Sequence, residues 1–253
     1  MKKNTKIIAV AGKGGVGKTS LAAAMIKVLA EENPDKSILA IDADPAVGLS
    51  TALGVEVHET IDDIRKAVVA TVEEGDTRTV LELLSESEYR IYDAMTECEG
   101  FVFLAVGRPE GAGCYCKINS YLKAVIQLLS ENFDYVVIDG EAGIEQVNRR
   151  VMEKVTHLLL VTDSSKKGMQ VIQSIKKVAD ELVMYEKVGA VANRILSEET
   201  MKLIDTGNIP IVSCIFSDEK LAQIDLKGES VLTLSNDAGI VNGAACALRN
   251  MGI

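Results

Sequence analysis

The sequence predicts an α/β fold: a mostly parallel, doubly wound sheet of about seven to eight strands with helices on both faces. Three observations carry this reading. Short apolar runs alternate with longer helical segments, the runs are continuously apolar instead of alternating in and out, and the first of them opens into a glycine-rich loop. The runs lie at 6–11, 37–41, 101–106, 135–138, 157–161, 188–192 and 209–215, built of Val, Ile, Leu and Ala. Such composition suits strands buried on both faces of a sheet. Between them, segments 21–30, 121–130 and 168–182 place apolar residues three and four apart, the period of amphipathic covering helices. Residues 55–99 are polar and helix-leaning with no clear strand, and are read as a helical insertion over the sheet edge. In a sheet of this kind ligands lie beyond the carboxyl ends of the strands.

Composition narrows the class. A chain of 253 residues with 47% hydrophobic content, four Pro and no low-complexity or single-sign stretch is read as one domain over 1–253. The start, Met1-Lys2-Lys3-Asn4-Thr5, is polar and leads directly into the first run, with no signal-peptide core. The longest apolar runs, such as Leu158-Leu159-Leu160-Val161, are strand-sized, well short of the roughly 18 residues a membrane span needs. The expectation is a cytoplasmic protein. A formal charge of −10 argues against a surface that attracts nucleic acid or anionic membrane as a whole. Five Cys, an odd number, are read as reduced thiols, and Cys114 and Cys116 are the only close pair.

The glycine-rich loop carries the chemistry. Gly12-Lys13-Gly14-Gly15-Val16-Gly17-Lys18-Thr19 satisfies G-x-x-x-x-G-K-[ST] between a strand and a helix, the context that defines the phosphate loop of a P-loop NTPase. Its glycines let backbone N–H groups converge on phosphates, Lys18 supplies positive charge to the β and γ oxygens, and Thr19 offers a hydroxyl to Mg²⁺. Ser20 completes the nucleotide-binding set.

Two strand ends supply acids. After the second run, Asp42-Ala43-Asp44-Pro45 sets two carboxylates two residues apart as the strand gives way to loop, either as turn residues or as site residues facing the crevice. The run Tyr135-Val136-Val137-Ile138-Asp139-Gly140 has the form of a Walker B strand, so Asp139 is assigned to the Mg²⁺ shell. Gly140 and Glu141 begin a loop able to respond to the γ-phosphate. Asn193 ends the 188–192 run and carries an amide able to donate to and accept from adenine, although Asn is also a common loop residue.

Cys114 and Cys116 lie in Gly111-Ala112-Gly113-Cys114-Tyr115-Cys116, just before a helical segment, where a helix N-terminus favours thiolate. One C-x-C loop gives two sulfurs and a closed soft-metal site wants four, which a two-fold axis would provide. The alternative is a pair of small residues capping a helix.

The segment Lys13-Gly14-Gly15-Val16-Gly17-Lys18-Thr19 resembles the deviant Walker A of the MinD, ParA and nitrogenase-iron-protein class. That resemblance implies that Lys13 reaches across a homodimer to the partner's nucleotide and that ATP drives dimerisation. It further implies that Asp44 orients or deprotonates the attacking water, that Asp42 serves Mg²⁺ through water, that Gly140 and Glu141 form the second switch and that Asn193 reads the base. Lys13, Lys18 and Asp44 are then the catalytic set. With the glycine-flanked C-x-C and Asp139-Gly140-Glu141-Ala142-Gly143-Ile144-Glu145, the chain is more narrowly similar to CooC-type nickel-insertion ATPases. This implies Ni²⁺ or Zn²⁺ at a dimer-shared Cys₄ site of Cys114 and Cys116, cycling between ATP and ADP with Mg²⁺, and an apo nickel enzyme such as carbon monoxide dehydrogenase as client. Two alternatives stand beside it. An iron–sulfur reductase like the nitrogenase iron protein would need a cluster cysteine after the second switch, and 141–155 has none. A MinD- or ParA-like positioning ATPase would need a membrane-binding tail or basic face, and Ala244-Ala245-Cys246-Ala247-Leu248-Arg249-Asn250-Met251 has one basic residue.

Overall fold

The computed structural model describes residues 5–44, 46–73, 89–107, 116–140, 154–182 and 185–253, with backbone alone at 116–119, 121 and 122. An eight-stranded sheet forms its centre: β1 (Lys6–Gly12), β2 (Ile38–Asp42), β3 (Thr96–Cys98), β4 (Phe101–Ala105), β5 (Tyr135–Asp139), β6 (His157–Thr162), β7 (Lys187–Ile195) and β8 (Ile211–Phe216). The spatial order is β3-β4-β2-β5-β1-β6-β7-β8, parallel throughout except for the antiparallel edge pair β3 and β4. The chain first winds out from β1 to one side and then to the other, so the order reverses around β1, where ligands of doubly wound sheets bind.

Alternate residues of the central strands enter two separate cores. Ile8 and Val10 pack on one face, and Ala9 and Ala11 on the other. Every one of these side chains is buried, which is why the strands read as unbroken apolar runs. The first face carries α1 (Lys18–Glu32), α2 (Gly48–Leu53) and α8 (Gly239–Met251). The second carries α3 (Ile61–Glu73), α4 (Cys116–Ser130) and α5 (Lys166–Leu182). Two short helices, α6 (Glu198–Met201) and α7 (Glu219–Lys227), flank β8, and a 3-10 turn spans Val231–Thr233.

Most of α5 is amphipathic as its spacing predicts, with Gly168, Ile172, Ile175 and Ala179 buried along one stripe. By contrast, α1 is buried on every side from Leu21 to Leu29. Its outer surface is covered by α8, α2 and the 3-10 turn, so a covering helix has become a core helix.

Residues 55–99 also depart from the sequence reading. They are helical at 61–73 and 89–93, but Thr96–Cys98 forms the edge strand β3, paired Cys98 to Phe101. Three half-exposed polar residues are too few to show a period. The turn Glu99-Gly100, with Gly100 at φ 83°, is the signal for this hairpin.

Candidate functional site

Strand register lines up the phosphate loop with both acids. Val10 pairs with Asp139 and Asp42 pairs with Asp139 across the adjacent strands β1, β5 and β2. The loop leaves β1 at this rim and returns as α1. Gly12 there is hemmed in by β6, because a Cβ would stand 2.1 Å from the Val161 carbonyl oxygen. Gly17 has φ 87° and forms the N-cap of α1. No side chain caps that helix and no acid lies in its first turn, so the N–H groups of Lys18, Thr19 and Ser20 form an uncompensated positive end suited to phosphate. Gly14 and Gly15 form an exposed lip, and Val16 is buried beneath it.

The two lysines of the loop are held internally. Lys18 is buried and its Nζ donates to the Lys13 carbonyl at 3.3 Å. Lys13 Nζ donates to Asp163 Oδ2 at 3.0 Å. Asp163 follows β6 and accepts from the N–H and hydroxyl of Ser165 through Oδ1. Burial works to raise its pKa, but the Ser165 donors and Lys13 prevail and hold it below the usual carboxylate range. Asp163 is a site residue the sequence reading lacks. Its signal is shared with Asp42 and Asp139: an acid at the carboxyl end of an apolar strand.

Asp42 and Asp139 are both fully buried. Asp42 Oδ2 accepts from the N–H groups of Leu49 (2.8 Å) and Ser50 (3.4 Å), and Oδ1 accepts from Asp44 N–H at 3.2 Å, so this carboxylate anchors the start of α2. Burial raises its pKa to about 6 against those hydrogen bonds. Asp139 rises to about 7, through burial first, with the charges of Asp42 and Asp44 adding and the Thr19 hydroxyl and Lys18 ammonium opposing. Both of its carboxylate oxygens are buried, and among the described residues none meets hydrogen-bond geometry with them, the nearby Thr19 hydroxyl included.

A desolvated carboxyl group without partners is neutralised by a proton, as its raised pKa records, or by a bound cation. Beside Asp139 lies the Thr19 hydroxyl, with the buried Asp42 carboxylate on the adjoining strand. This is a hard-oxygen donor set that fits Mg²⁺.

Asp44 Oδ1 accepts from Ala46 N–H at 2.9 Å, and its carbonyl accepts from Val47 N–H. Val47 caps α2 with φ 51°, an uncommon conformation for a β-branched residue. Backbone strain is thus stored in the loop that carries Asp44. Gly140 N–H donates to the Val10 carbonyl, which holds the start of the loop after β5 against β1. Asn193 is buried at the far end of β7, its Nδ2 donating to the Val16 carbonyl at 2.8 Å and its Oδ1 accepting from Arg194 N–H. That leaves the amide one N–H and one lone pair. Glu141, Pro45 and Cys114 lie outside the described residues, as does the side chain of Cys116, which begins α4. Among the described residues no group of three or more His, Cys, Asp or Glu could hold a metal, and no helix is long and apolar enough to cross a membrane.

The chain is similar to several known proteins. Residues 7–231 match the CbiA family model, described as the CobQ/CobB/MinD/ParA nucleotide binding domain. An uncharacterised ATP-binding protein of Methanocaldococcus jannaschii is 38% identical over 227 residues, 88% of each chain. The carbon monoxide dehydrogenase accessory protein CooC of Rhodospirillum rubrum is 25% identical over 248 residues, covering 92% of this chain and 88% of that protein. In fold, the structure of the cell division ATPase MinD of Pyrococcus furiosus superposes with a TM-score of 0.68 at 21% identity, covering 98% of each chain.

Proposed function

The chain belongs to the CobQ/CobB/MinD/ParA family of nucleotide-binding domains, and on that premise we propose that it is a single-domain ATPase that dimerises with ATP and delivers a soft divalent metal to a client enzyme. One observation supports the ATPase reading above all others: an uncapped helix start and an orphaned buried carboxylate meet at one sheet rim, in register with the phosphate loop. In this reading Lys18 leaves the Lys13 carbonyl for the β and γ phosphates, while Lys13 leaves Asp163 for the partner's nucleotide. Asp44 holds the attacking water, Asn193 offers its remaining N–H and lone pair to adenine, and Gly140 and Glu141 report the γ-phosphate. Thr19 and Asp139, with Asp42 behind them, would hold Mg²⁺, which neutralises charge on the β and γ oxygens when bound.

The cargo site is the C-x-C of Cys114 and Cys116 joined to its copy across the dimer, taking Ni²⁺ or Zn²⁺. The likeness to CooC supports an apo nickel enzyme such as carbon monoxide dehydrogenase as client. A positioning role is the second reading, favoured by the overall likeness to MinD in fold. One measurement tests the ATPase activity the two readings share, and a second separates them. Lys18→Ala should abolish ATP hydrolysis under either reading. Metal analysis should then find one tightly held ion per dimer, lost in Cys114→Ser and Cys116→Ser; a dimer that forms with ATP but holds no metal would favour positioning.

A further inference from the structure

His157 starts β6 at the amino ends of the strands, opposite the phosphate-loop rim, and is only 5% exposed. Its register partner Ile8 packs on the α8 side of the sheet. The Thr156 hydroxyl assigns the tautomer. It donates to the Ile7 carbonyl at 2.9 Å and so accepts from His157 Nδ1 at 2.7 Å, which puts the ring proton on Nδ1. Nε2 keeps a bare lone pair that faces the Met251 carbonyl, and among the described residues no group meets hydrogen-bond geometry with it. That carbonyl is already taken. Lys187 Nζ donates to it at 2.7 Å, and Lys6 Nζ donates to the Gly252 carbonyl at 2.9 Å, so two ammoniums cap the carboxyl end of α8.

Because β6 lies between β1 and β7, the imidazole lies between the strands that carry Lys6 and Lys187. The other charges around it are Glu186, paired with Lys154 at 3.7 Å, and Arg249 in the last turn of α8. Lys6 also lies over the Tyr135 ring, 5.9 Å from its centroid. The surroundings suit a neutral ring: burial lowers its pKa, Lys187 and Lys6 lower it further, and the Met251 carbonyl and Glu186 oppose them.

We propose that His157 is an acid-operated latch on α8: a proton on Nε2 sets a third cation between Lys6 and Lys187, and the last turn of the helix lifts away. Above the ordinary histidine value of about 6.5 the ring is neutral whether the turn is closed or open, and the latch holds. As pH falls below that value the open state takes the proton first, so closure loses stability. The same turn supplies Leu248 and Met251 to the core that holds α1, and its release uncovers the far end of the helix that begins at the phosphate loop.

Amide hydrogen exchange across 248–251, read as protection factors at pH 7.5 and 5.5, tests this. At pH 5.5, about one unit below the ordinary value, a proton bound only by the open state favours opening about tenfold, and wild-type protection should fall by that factor. Local amides are the readout because Asp42 and Asp139, at about 6 and about 7, add global stability as pH falls through the same window. His157→Gln has no proton to gain and should keep equal protection at the two pH values. Lys187→Met removes a facing cation and a cap, so protection should start lower at pH 7.5 and then change by less than about threefold. Unchanged wild-type protection at pH 5.5 would overturn the proposal, as would an equal loss in His157→Gln. If the Gln variant does not fold, the wild-type His157 ring resonances decide, and a titration midpoint at or above the ordinary histidine value would overturn the latch.

Discussion

Asp139 combines a structural cost with a chemical use. It titrates at about 7 in the folded chain, far above an ordinary aspartate, because burial disfavours its charge. The folded state therefore retains a proton that the unfolded chain has already lost, and stability falls as pH rises from about 4 to 7. Asp139→Asn should stabilise the nucleotide-free protein at pH 8 by roughly 2–4 kcal/mol and change it little at pH 4. Urea unfolding at the two pH values reads this directly, and an equal gain at both would contradict the burial argument. The same titration governs the cation, so Mg²⁺ affinity should rise across pH 5 to 8 as the carboxyl group loses its proton. Lys13 and Asp163 make a second residue-scale case. Their ion pair joins positions 150 apart in the chain and holds in cis the lysine assigned to the partner's nucleotide. Because both side chains are about a third exposed, the pair is worth only about 0.5–1 kcal/mol. Asp163→Asn should therefore tighten the ATP-bound dimer by about two- to fivefold. Dimer dissociation constants would show it, and a weakened dimer would mean that Asp163 supports the closed state.

At the level of elements, what the chain announces locally was legible and what depends on neighbours was not. The phosphate loop, its flanking strand and helix, and the acids ending β2 and β5 each follow from a few consecutive residues. The full burial of α1 depends on α8, which arrives more than two hundred residues later. Strand β3 was missed because three polar edge residues carry no period, and Asp163 because its partner is set by the register of β1 on β6. The loop before α2 offers a test at this scale. Val47 caps that helix in left-handed backbone beside Asp44, so Val47→Gly should raise the melting temperature by roughly 2–4 °C, the equivalent of about 1 kcal/mol. If the strain helps the switch respond to ATP, the same variant should hydrolyse ATP more slowly. Faster hydrolysis in a more stable protein would show that the strain has no part in switching.

Across the whole molecule, one rim of the sheet gathers the phosphate loop and the acids of the proposed ATPase site, and Lys13 is the residue proposed to tie that rim to a second copy. Strands β2, β5 and β1 bring Asp42, Asp139 and the phosphate loop side by side, and β7 adds Asn193 through its contact with Val16. If closure over ATP brings two C-x-C loops together, metal and nucleotide must each strengthen the dimer, and dimerisation must raise metal affinity by the same factor. Nucleotide dependence of the dimer therefore comes first. Sedimentation velocity of the wild type and Lys13→Gln, each with and without a non-hydrolysable ATP analogue, measures it most directly. The wild type should shift from monomer to dimer with the analogue, whereas Lys13→Gln should bind the analogue and remain monomeric. Equal dimer populations in the two proteins, or a wild-type monomer saturated with nucleotide, would contradict ATP-driven dimerisation through Lys13.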